Sequence, residues 1–203
     1  MKPILFNTEM VQAIQNGRKV ETRRLMKPQP VLVGRMWRLD GAAWTDNLDS
    51  VIPFPCHSLY EEAPFHPGDI LYVRETWRVK SASCPPRRCQ IEYKAGGDAT
   101  FDEIIALPTK KVKWKPSIHM PKKAARIFLR VNSIWVERLN VMQEEDAIAE
   151  GFKDLGVDAD SPLERFAVLW DKTIKRDQID KYGWYANPWV WVIRFERCEK
   201  PED

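Results

Sequence analysis

Apolar and polar positions along the chain follow two periods, and each change of period marks a predicted element. Alternation with a period of two, which buries at least one face of a strand, is clearest over Arg126–Leu139. A second β-rich run covers Trp189–Arg197. Between these strands, Gln143–Gly151 is typical of a short helix ended by glycine. A longer helix is predicted after Ser161-Pro162, a pair typical of an N-cap followed by proline in the first turn.

The start of the chain predicts a strand, a helix and a second strand. Pro3–Phe6 is a short apolar run, and Asn7 or Thr8 is a suitable N-cap for the apolar helical face that follows. Gly17 stands where a glycine commonly ends a helix. Val20–Leu25 is then predicted as a strand.

Prolines interrupt the pattern between residues 27 and 66, which we interpret as an insertion in a single domain covering residues 1–203. Strands are expected at Val31–Leu39 and Ala43–Thr45 around the hairpin turn Asp40-Gly41. Ile70–Val79 and Gln90–Lys94 follow as further strands. Many strands with a few peripheral helices predict an α+β fold, built as a small mixed β-barrel.

Charge and composition narrow the function classes only slightly. The net charge of +3 gives no strong case for non-specific DNA binding, although basic residues cluster within Arg18–Lys27 and Lys110–Lys115. Each cluster has an equally simple explanation as a solvated basic face. Nine tryptophans offer flat surfaces on which bases can stack, but tryptophan is also a large core residue.

Cysteine spacing and hydropathy indicate a cytoplasmic protein without a metal or cofactor. Cys84 and Cys89 would need two further ligands, such as Cys56 and His57, to form a zinc knuckle, and reduced thiols are the simpler interpretation. The first ten residues lack a signal-peptide pattern, and no run approaches 18 apolar residues. We therefore expect no membrane partner, and the sequence leaves the oligomeric state open.

The segment Gly17–Arg24 contains the most reactive combination of side chains. Lys19 and the hydroxyl of Thr22 can converge if Lys19 still lies in the turn that Gly17 permits. A lysine beside a threonine hydroxyl can act as the base for a nucleophile once burial or neighbouring cations lower the pKa of the lysine. The alternative is a basic turn in water, with Thr22 present for its β propensity.

The pattern G-x-K-x-x-T-x-R at Gly17, Lys19, Thr22 and Arg24 resembles the ASCH domain, a member of the PUA-like superfamily. Further segments match the family in order, two of them like its longer, phage-associated branch. These segments are Gly68–Trp77, Ser117–Pro121, Glu144–Phe152, and Tyr182–Trp184 with Asn187–Val192.

The resemblance implies a PUA-like β-barrel with a cleft that binds RNA or a modified nucleoside. Small bacterial members hydrolyse N4-acetylcytidine to cytidine and acetate, and their catalytic residues fall on Lys19, Thr22 and Glu150. The leading hypothesis is therefore an amidohydrolase that removes an acyl group from N4-acylated cytosine, without a metal or cofactor. The alternatives are a non-catalytic RNA- or DNA-binding module and a ribonuclease.

Other side chains are candidates for substrate binding, each with a structural alternative. Trp77 can stack on a base or pack in the core, and Glu75 can accept a hydrogen bond from an exocyclic amine or pair with Arg24. Asn187, extended before proline, can present its amide to a base edge or merely direct the last strand. The full set of candidate substrate-binding residues is Arg24, Arg74, Glu75, Trp77, His119, Trp184 and Asn187.

Overall fold

The computed structural model describes residues 1–34, 36–39, 42–45, 51–52, 61–84, 87–106, 113–153 and 160–201. The chain has an α+β fold and divides into two compact units. The first unit comprises Met1–Asn16, Asp69–Arg130 and Arg197–Asp203, and the second comprises Gly17–Gly68 and Val131–Glu196.

Helices and strands have the following bounds. The strands are β1 (Lys2–Leu5), β2 (Glu21–Leu25), β3 (Val31–Val33), β4 (Met36–Leu39), β5 (Ala42–Thr45), β6 (Val51–Ile52), β7 (Ile70–Arg74), β8 (Trp77–Ser83), β9 (Arg88–Tyr93), β10 (Asp98–Phe101), β11 (Phe128–Arg138) and β12 (Trp189–Cys198). The α-helices are α1 (Thr8–Gln15), α2 (Glu144–Ala149), α3 (Pro162–Thr173) and α4 (Ile179–Tyr182). Short 3₁₀ turns cover Ser117–His119, Lys122–Ala124, Leu139–Val141, Arg176–Gln178 and Trp184–Ala186.

In the first unit, β1 pairs in parallel with β7, and β7 pairs antiparallel with the start of β11. The Asn7 side chain caps α1 by accepting from the Met10 N–H at 2.8 Å, as the sequence predicts. Strands β8, β9 and β10 form a separate antiparallel sheet. A buried cluster packs against this sheet and consists of Trp77, Val79, Cys89, Ile91, Tyr93, Met120 and Ala124.

In the second unit, β12 pairs antiparallel with β2, from Glu21 opposite Arg194 to Leu25 opposite Val190. The strand order there is β11-β12-β2, with β6 paired to the end of β11. Helix α3 begins at the predicted Ser161 N-cap, whose hydroxyl accepts from the Glu164 N–H at 3.2 Å. Its apolar face lies in a second buried cluster formed by Leu139, Met142, Ala147, Phe166, Trp170, Val190 and Val192.

The predicted strand Val31–Leu39 is two strands, β3 and β4, because Gly34 turns the chain with a φ of 66°. Strands β3, β4 and β5 form an antiparallel sheet in which Leu39 lies opposite Ala42. The hairpin turn predicted at Asp40-Gly41 lies outside the described residues. The pairing of β4 with β5 is the one that the sequence predicts.

The predicted strand Ile70–Val79 is also interrupted, which corrects the expectation that Arg74 and Trp77 share a strand. Strand β7 ends at Arg74, opposite Leu5, and β8 starts at Trp77, opposite Tyr93. The chain exchanges one neighbouring strand for another between these positions, which a hydrophobic pattern does not reveal. Within each unit the described strands follow open orders, and no described helix is long and apolar enough to cross a membrane.

Candidate functional site

The segment around Lys19 is held in place by backbone hydrogen bonds within the second unit. The N–H of Val20 donates to Ala149 O at 2.9 Å, and Val20 O accepts from the N–H of Phe195 at 2.8 Å. Glu150 is the C-cap of α2, and Gly151 follows with a φ of 102°. The end of α2 and the start of β2 are therefore fixed side by side, although they lie far apart in the sequence.

Lys19 and Glu150 form a buried ion pair at this junction. Their side chains are 0% and 2% exposed, and Lys19 Nζ contacts Glu150 Oε2 directly. Lys19 Nζ also donates to the carbonyl oxygens of Glu21, at 2.8 Å, and Glu150, at 2.9 Å. Three acceptors match the three N–H bonds of an ammonium group, so this arrangement suits a charged Lys19. Burial nevertheless lowers the pKa of Lys19, and attraction to Glu150 only partly offsets that effect.

The second oxygen of Glu150 is held by the backbone of β2. Glu150 Oε1 accepts from the N–H of Arg23, so the carboxylate is fixed from both sides. Arg18 Nη1 donates to Gly151 O at 2.6 Å and fixes the residue after it. A carboxylate held in this way is positioned to exchange a proton with Lys19. Lys19 is the only buried lysine in the described part of the chain.

Arg23 is the centre of a network that the sequence analysis missed. Its guanidinium lies between Glu21 Oε1, 2.8 Å from Nη1, and Glu137 Oε1, 2.8 Å from Nε. A third carboxylate oxygen, Glu150 Oε1, lies 3.7 Å from Arg23 Nη1. Burial alone would lower the pKa of Arg23, but the surrounding carboxylates, led by Glu137, raise it above its ordinary value. Arg23 therefore remains charged and partly neutralises three buried carboxylates.

Two further side chains complete the outer part of this network. Arg194 donates through Nη2 to Glu21 Oε2 at 2.9 Å, and Trp135 Nε1 donates to Glu137 Oε2 at 2.8 Å. Burial raises the pKa of Glu21, opposed mainly by the positive charge of Arg23. Both carboxylates thus have partners on each oxygen, which is the condition under which buried charges are tolerated.

Thr22 lies on β2 between Glu21 and Arg23 and opposite Ile193. The residue is 3% exposed, and its hydroxyl makes no hydrogen bond with any residue in the described part of the chain. Lys19 and Thr22 were expected to converge, but no hydrogen bond joins them. Lys19 Nζ instead donates to Glu21 O, Glu150 O and Glu150 Oε2. Arg24 follows on the same face as Thr22; burial lowers the pKa of Arg24, with Glu150 opposing the effect.

Two candidates in the second unit have structural roles. Trp184 packs edge-to-face on Phe166, with ring centroids 6.0 Å apart. Asn187 was expected to be extended before Pro188, but that prediction is wrong, because its φ and ψ are 50° and 55°. Asparagine tolerates this left-handed conformation, and its Oδ1 accepts from the Asn140 N–H at 2.8 Å. That contact occupies the amide oxygen that was expected to contact a base.

In the first unit, Arg74 and Glu75 also make internal contacts. Arg74 Nε donates to Met120 O at 2.8 Å. The buried carboxylate of Glu75 accepts two hydrogen bonds from Arg126, at 2.8 and 2.9 Å, rather than pairing with Arg24 as one interpretation of the sequence held. Arg126 also lies over the ring of Tyr93, 3.9 Å from its centroid. These contacts explain both residues as part of the packing of their own unit.

Trp77 and His119, also in the first unit, come together at an open pocket of about 450 Å³. Trp77 is 2% exposed and belongs to the core, so its indole face is not available for stacking. His119 is exposed on the pocket wall. Lys115 also lines this pocket. The sequence marks it only as one residue of the basic run Lys110–Lys115.

Among the described residues, no three His, Cys, Asp or Glu side chains are grouped as metal ligands would be. Cys84, Cys89 and Cys198 are not joined by disulfides to any described residue. Cys56 and His57, the other two ligands considered for a zinc knuckle, lie outside the described part of the chain.

Comparison of the chain with protein-family models, with curated proteins and with solved structures finds no match. The functional conclusion therefore depends on the side chains around Lys19 and on the sequence motif that carries them.

Proposed function

We propose that this chain is an ASCH-type domain of the PUA-like class that hydrolyses the acyl amide of N4-acylated cytosine, as a free nucleoside or in RNA. The observation that supports it is the buried contact between Lys19 and Glu150, which also bind the backbone of Glu21 and Arg23, the chain neighbours of buried Thr22. The motif resemblance named these three residues, and Glu150 lies 131 positions from Lys19 in the chain. A buried lysine in contact with a carboxylate, together with the threonine of the adjoining strand, has the composition of a base, a proton carrier and a nucleophile.

Lys19 must give up one proton before it can accept another from Thr22. In the resting arrangement its ammonium donates to Glu150 Oε2 and to two carbonyl oxygens. Burial favours the neutral amine, and the adjacent carboxylate provides a place for the proton. Transfer from Lys19 to Glu150 removes both charges from the interior and leaves the amine with a lone pair.

The chemical steps follow from that transfer. Thr22 Oγ1 attacks the acyl carbon while its proton passes to neutral Lys19, and Arg24 faces the developing oxyanion. The carbon–N4 bond breaks, and protonated Glu150 gives its proton to N4, which leaves as the cytosine amine. Lys19 then passes the proton that it took from Thr22 to the Glu150 carboxylate, and the neutral amine takes a proton from the water that attacks the ester. The ester bond breaks, the carboxylic acid departs, and protonated Lys19 gives its proton to Thr22 Oγ1. Return of the proton from Glu150 to Lys19 restores the resting state.

A competing version keeps Lys19 charged as the oxyanion donor and uses Glu150 to activate water. It needs no covalent intermediate, so Thr22 would have only a positioning role. The three acceptors around Lys19 Nζ suit the resting state of either version. The two versions differ in whether Thr22 becomes acylated.

Burial of the three residues has two consequences for the reaction. Charges interact more strongly away from water, so the Lys19–Glu150 pair has a large influence on any charge that develops beside it. Because Thr22 is 3% exposed, an acyl carbon reaches its hydroxyl only after neighbouring side chains move. The proposed enzyme therefore opens on binding substrate.

Conversion of N4-acetylcytidine, followed by the change in its ultraviolet spectrum, tests the proposal directly. The wild-type protein should convert it. Thr22→Val and Glu150→Gln, which keep the shape of the side chain, should each lower kcat about 100-fold or more. Lys123→Met changes an exposed lysine and should have no effect. Absence of conversion together with salt-sensitive RNA binding would overturn the proposal in favour of a binding module.

A further inference from the structure

The pocket in the first unit is lined by basic and by apolar residues. Its ionisable wall residues in the described part of the chain are Lys115 and His119, which are both basic. The rest of the described wall is apolar and consists of Trp77, Ile105, Ala106 and Pro121. Its volume of about 450 Å³ falls in the range of pockets that bind small organic molecules. A compact inorganic anion would fill only part of it.

Backbone contacts hold Lys115 rigidly at this pocket. Its N–H donates to Trp77 O at 2.7 Å and its carbonyl accepts from the Trp77 N–H at 3.2 Å, which forms an isolated β-bridge. The ammonium group of Lys115 lies 5.0 Å from the centroid of the Trp77 ring. Lys115 makes no ion pair with another residue in the described ranges. Its charge is therefore available to a bound anion.

The other end of the segment is anchored by Met120, which places His119 at the wall. Met120 is fully buried, its carbonyl accepts from Arg74 Nε at 2.8 Å, and its sulfur lies 3.2 Å from the Glu75 N–H. Within the turn, the His119 N–H donates to Pro116 O at 3.0 Å. Both basic side chains thus come from a short segment tied to the core at each end. Such preorganisation lowers the entropic cost of binding.

A buried donor at the pocket also lacks an acceptor. Trp77 Nε1 is buried and has no hydrogen-bond partner among the residues that the structure describes, although Trp77 lines the pocket wall. Buried N–H groups in folded proteins almost always have a partner, so such a group needs an explanation. A ligand with oxygen atoms would supply the missing acceptor once the wall adjusts to it.

We propose that this pocket binds a nucleotide, with its phosphate at Lys115 and His119 and its base and sugar against Ile105, Ala106 and Pro121. A phosphate suits basic hydrogen-bond donors, and the base and sugar suit apolar wall residues. The nucleotide is either a free monophosphate or the phosphorylated end of an RNA strand. This binding does not depend on amide hydrolysis at Lys19, because it involves no reaction.

Calorimetric titration of the whole chain with cytidine 5′-monophosphate tests the proposal. We expect binding to be at least about tenfold tighter than that of cytidine or of inorganic phosphate, a difference of about 1.4 kcal/mol from each. Lys115→Met should weaken the binding of the monophosphate about tenfold and leave the affinity for cytidine unchanged. Lys123→Met is the matched control, since Lys123 is an exposed lysine of the same unit that pairs with Glu103.

Several outcomes would overturn the nucleotide site. These are no binding at millimolar monophosphate, inorganic phosphate binding as tightly as the nucleotide, or equal effects of Lys115→Met and Lys123→Met. A 5′-phosphorylated RNA trinucleotide then distinguishes the source of the ligand, since tighter binding than the monophosphate identifies an RNA end. Thr22→Val should retain full affinity, so loss of hydrolysis and loss of this site can be told apart.

Discussion

Removing the Lys19 charge should destabilise the protein more than any exposed lysine substitution. Lys19→Met leaves Glu150, which is 2% exposed, as a buried carboxylate without its cation. Breaking a buried pair from one side costs about 3–5 kcal/mol, because the remaining charge has lost both water and its partner. Glu150→Gln retains an acceptor for the Arg23 N–H but leaves Lys19 uncompensated, so we expect a loss of similar size.

The double variant Lys19→Met/Glu150→Gln removes both charges and should be more stable than the sum of the single losses implies. Urea unfolding of the four proteins gives the coupling energy, which we expect to be about 2 kcal/mol or more. Lys123→Met should cost no more than about 1 kcal/mol, since it breaks an exposed pair. Additive losses, or a loss below about 1 kcal/mol for Lys19→Met, would refute the buried pair.

Three further predictions concern Glu21, Tyr93 and Asn187. Because burial raises the pKa of Glu21, this carboxyl keeps its proton to higher pH in the folded state than in the unfolded state. The protonated carboxyl therefore favours folding at low pH, and this stabilisation is lost as the pH rises from about 4.5 through the pKa of folded Glu21. The stability of Glu21→Gln relative to wild type should therefore increase over that window in urea titrations at several pH values, and a constant difference would contradict the raised pKa. Burial also raises the pKa of Tyr93 to about 12. An ultraviolet titration should therefore show one tyrosine that ionises near that pH, and this titration step should be absent in Tyr93→Phe. For Asn187, whose φ is positive, substitution by alanine should lower Tm more than substitution by glycine; both lose the bond to Asn140, but only alanine is strained in this conformation. Equal shifts in Tm would show that the backbone there is not strained.

Local patterns predicted most of the elements, because helices and strands bury faces with regular periods. The N-cap residues Asn7 and Ser161, and the strands β11 and β12, lie where the sequence places them. In the strand predicted over Val20–Leu25, residues two positions apart share a face, and the Glu21 and Arg23 side chains are in contact at 2.8 Å. Such features depend only on neighbours in the sequence.

Other features depend on residues that lie far away in the sequence. The position of Glu137 beside Arg23 results from strand packing and leaves no local signal. The motif resemblance alone brought Glu150 into the site, since spacing cannot relate it to Lys19. At Asn187, the usual preference before proline for extended backbone was outweighed by a hydrogen bond to Asn140 and by the tolerance of asparagine for positive φ. At Glu75, the pairing partner is Arg126, and the strand predicted over Ile70–Val79 is interrupted there, because β7 ends at Arg74 and β8 begins at Trp77.

Mass spectrometry of the intact protein during a single turnover of N4-acetylcytidine tests the proposed mechanism most directly. With enzyme in excess over substrate, and quenching by acid, the wild-type chain should gain the mass of one acetyl group, and peptide mapping should place it on Thr22. Thr22→Val should show neither the adduct nor conversion. Rapid conversion without an adduct, or retained activity in Thr22→Val, would contradict the nucleophilic role of Thr22 and leave Glu150 as the base that activates water.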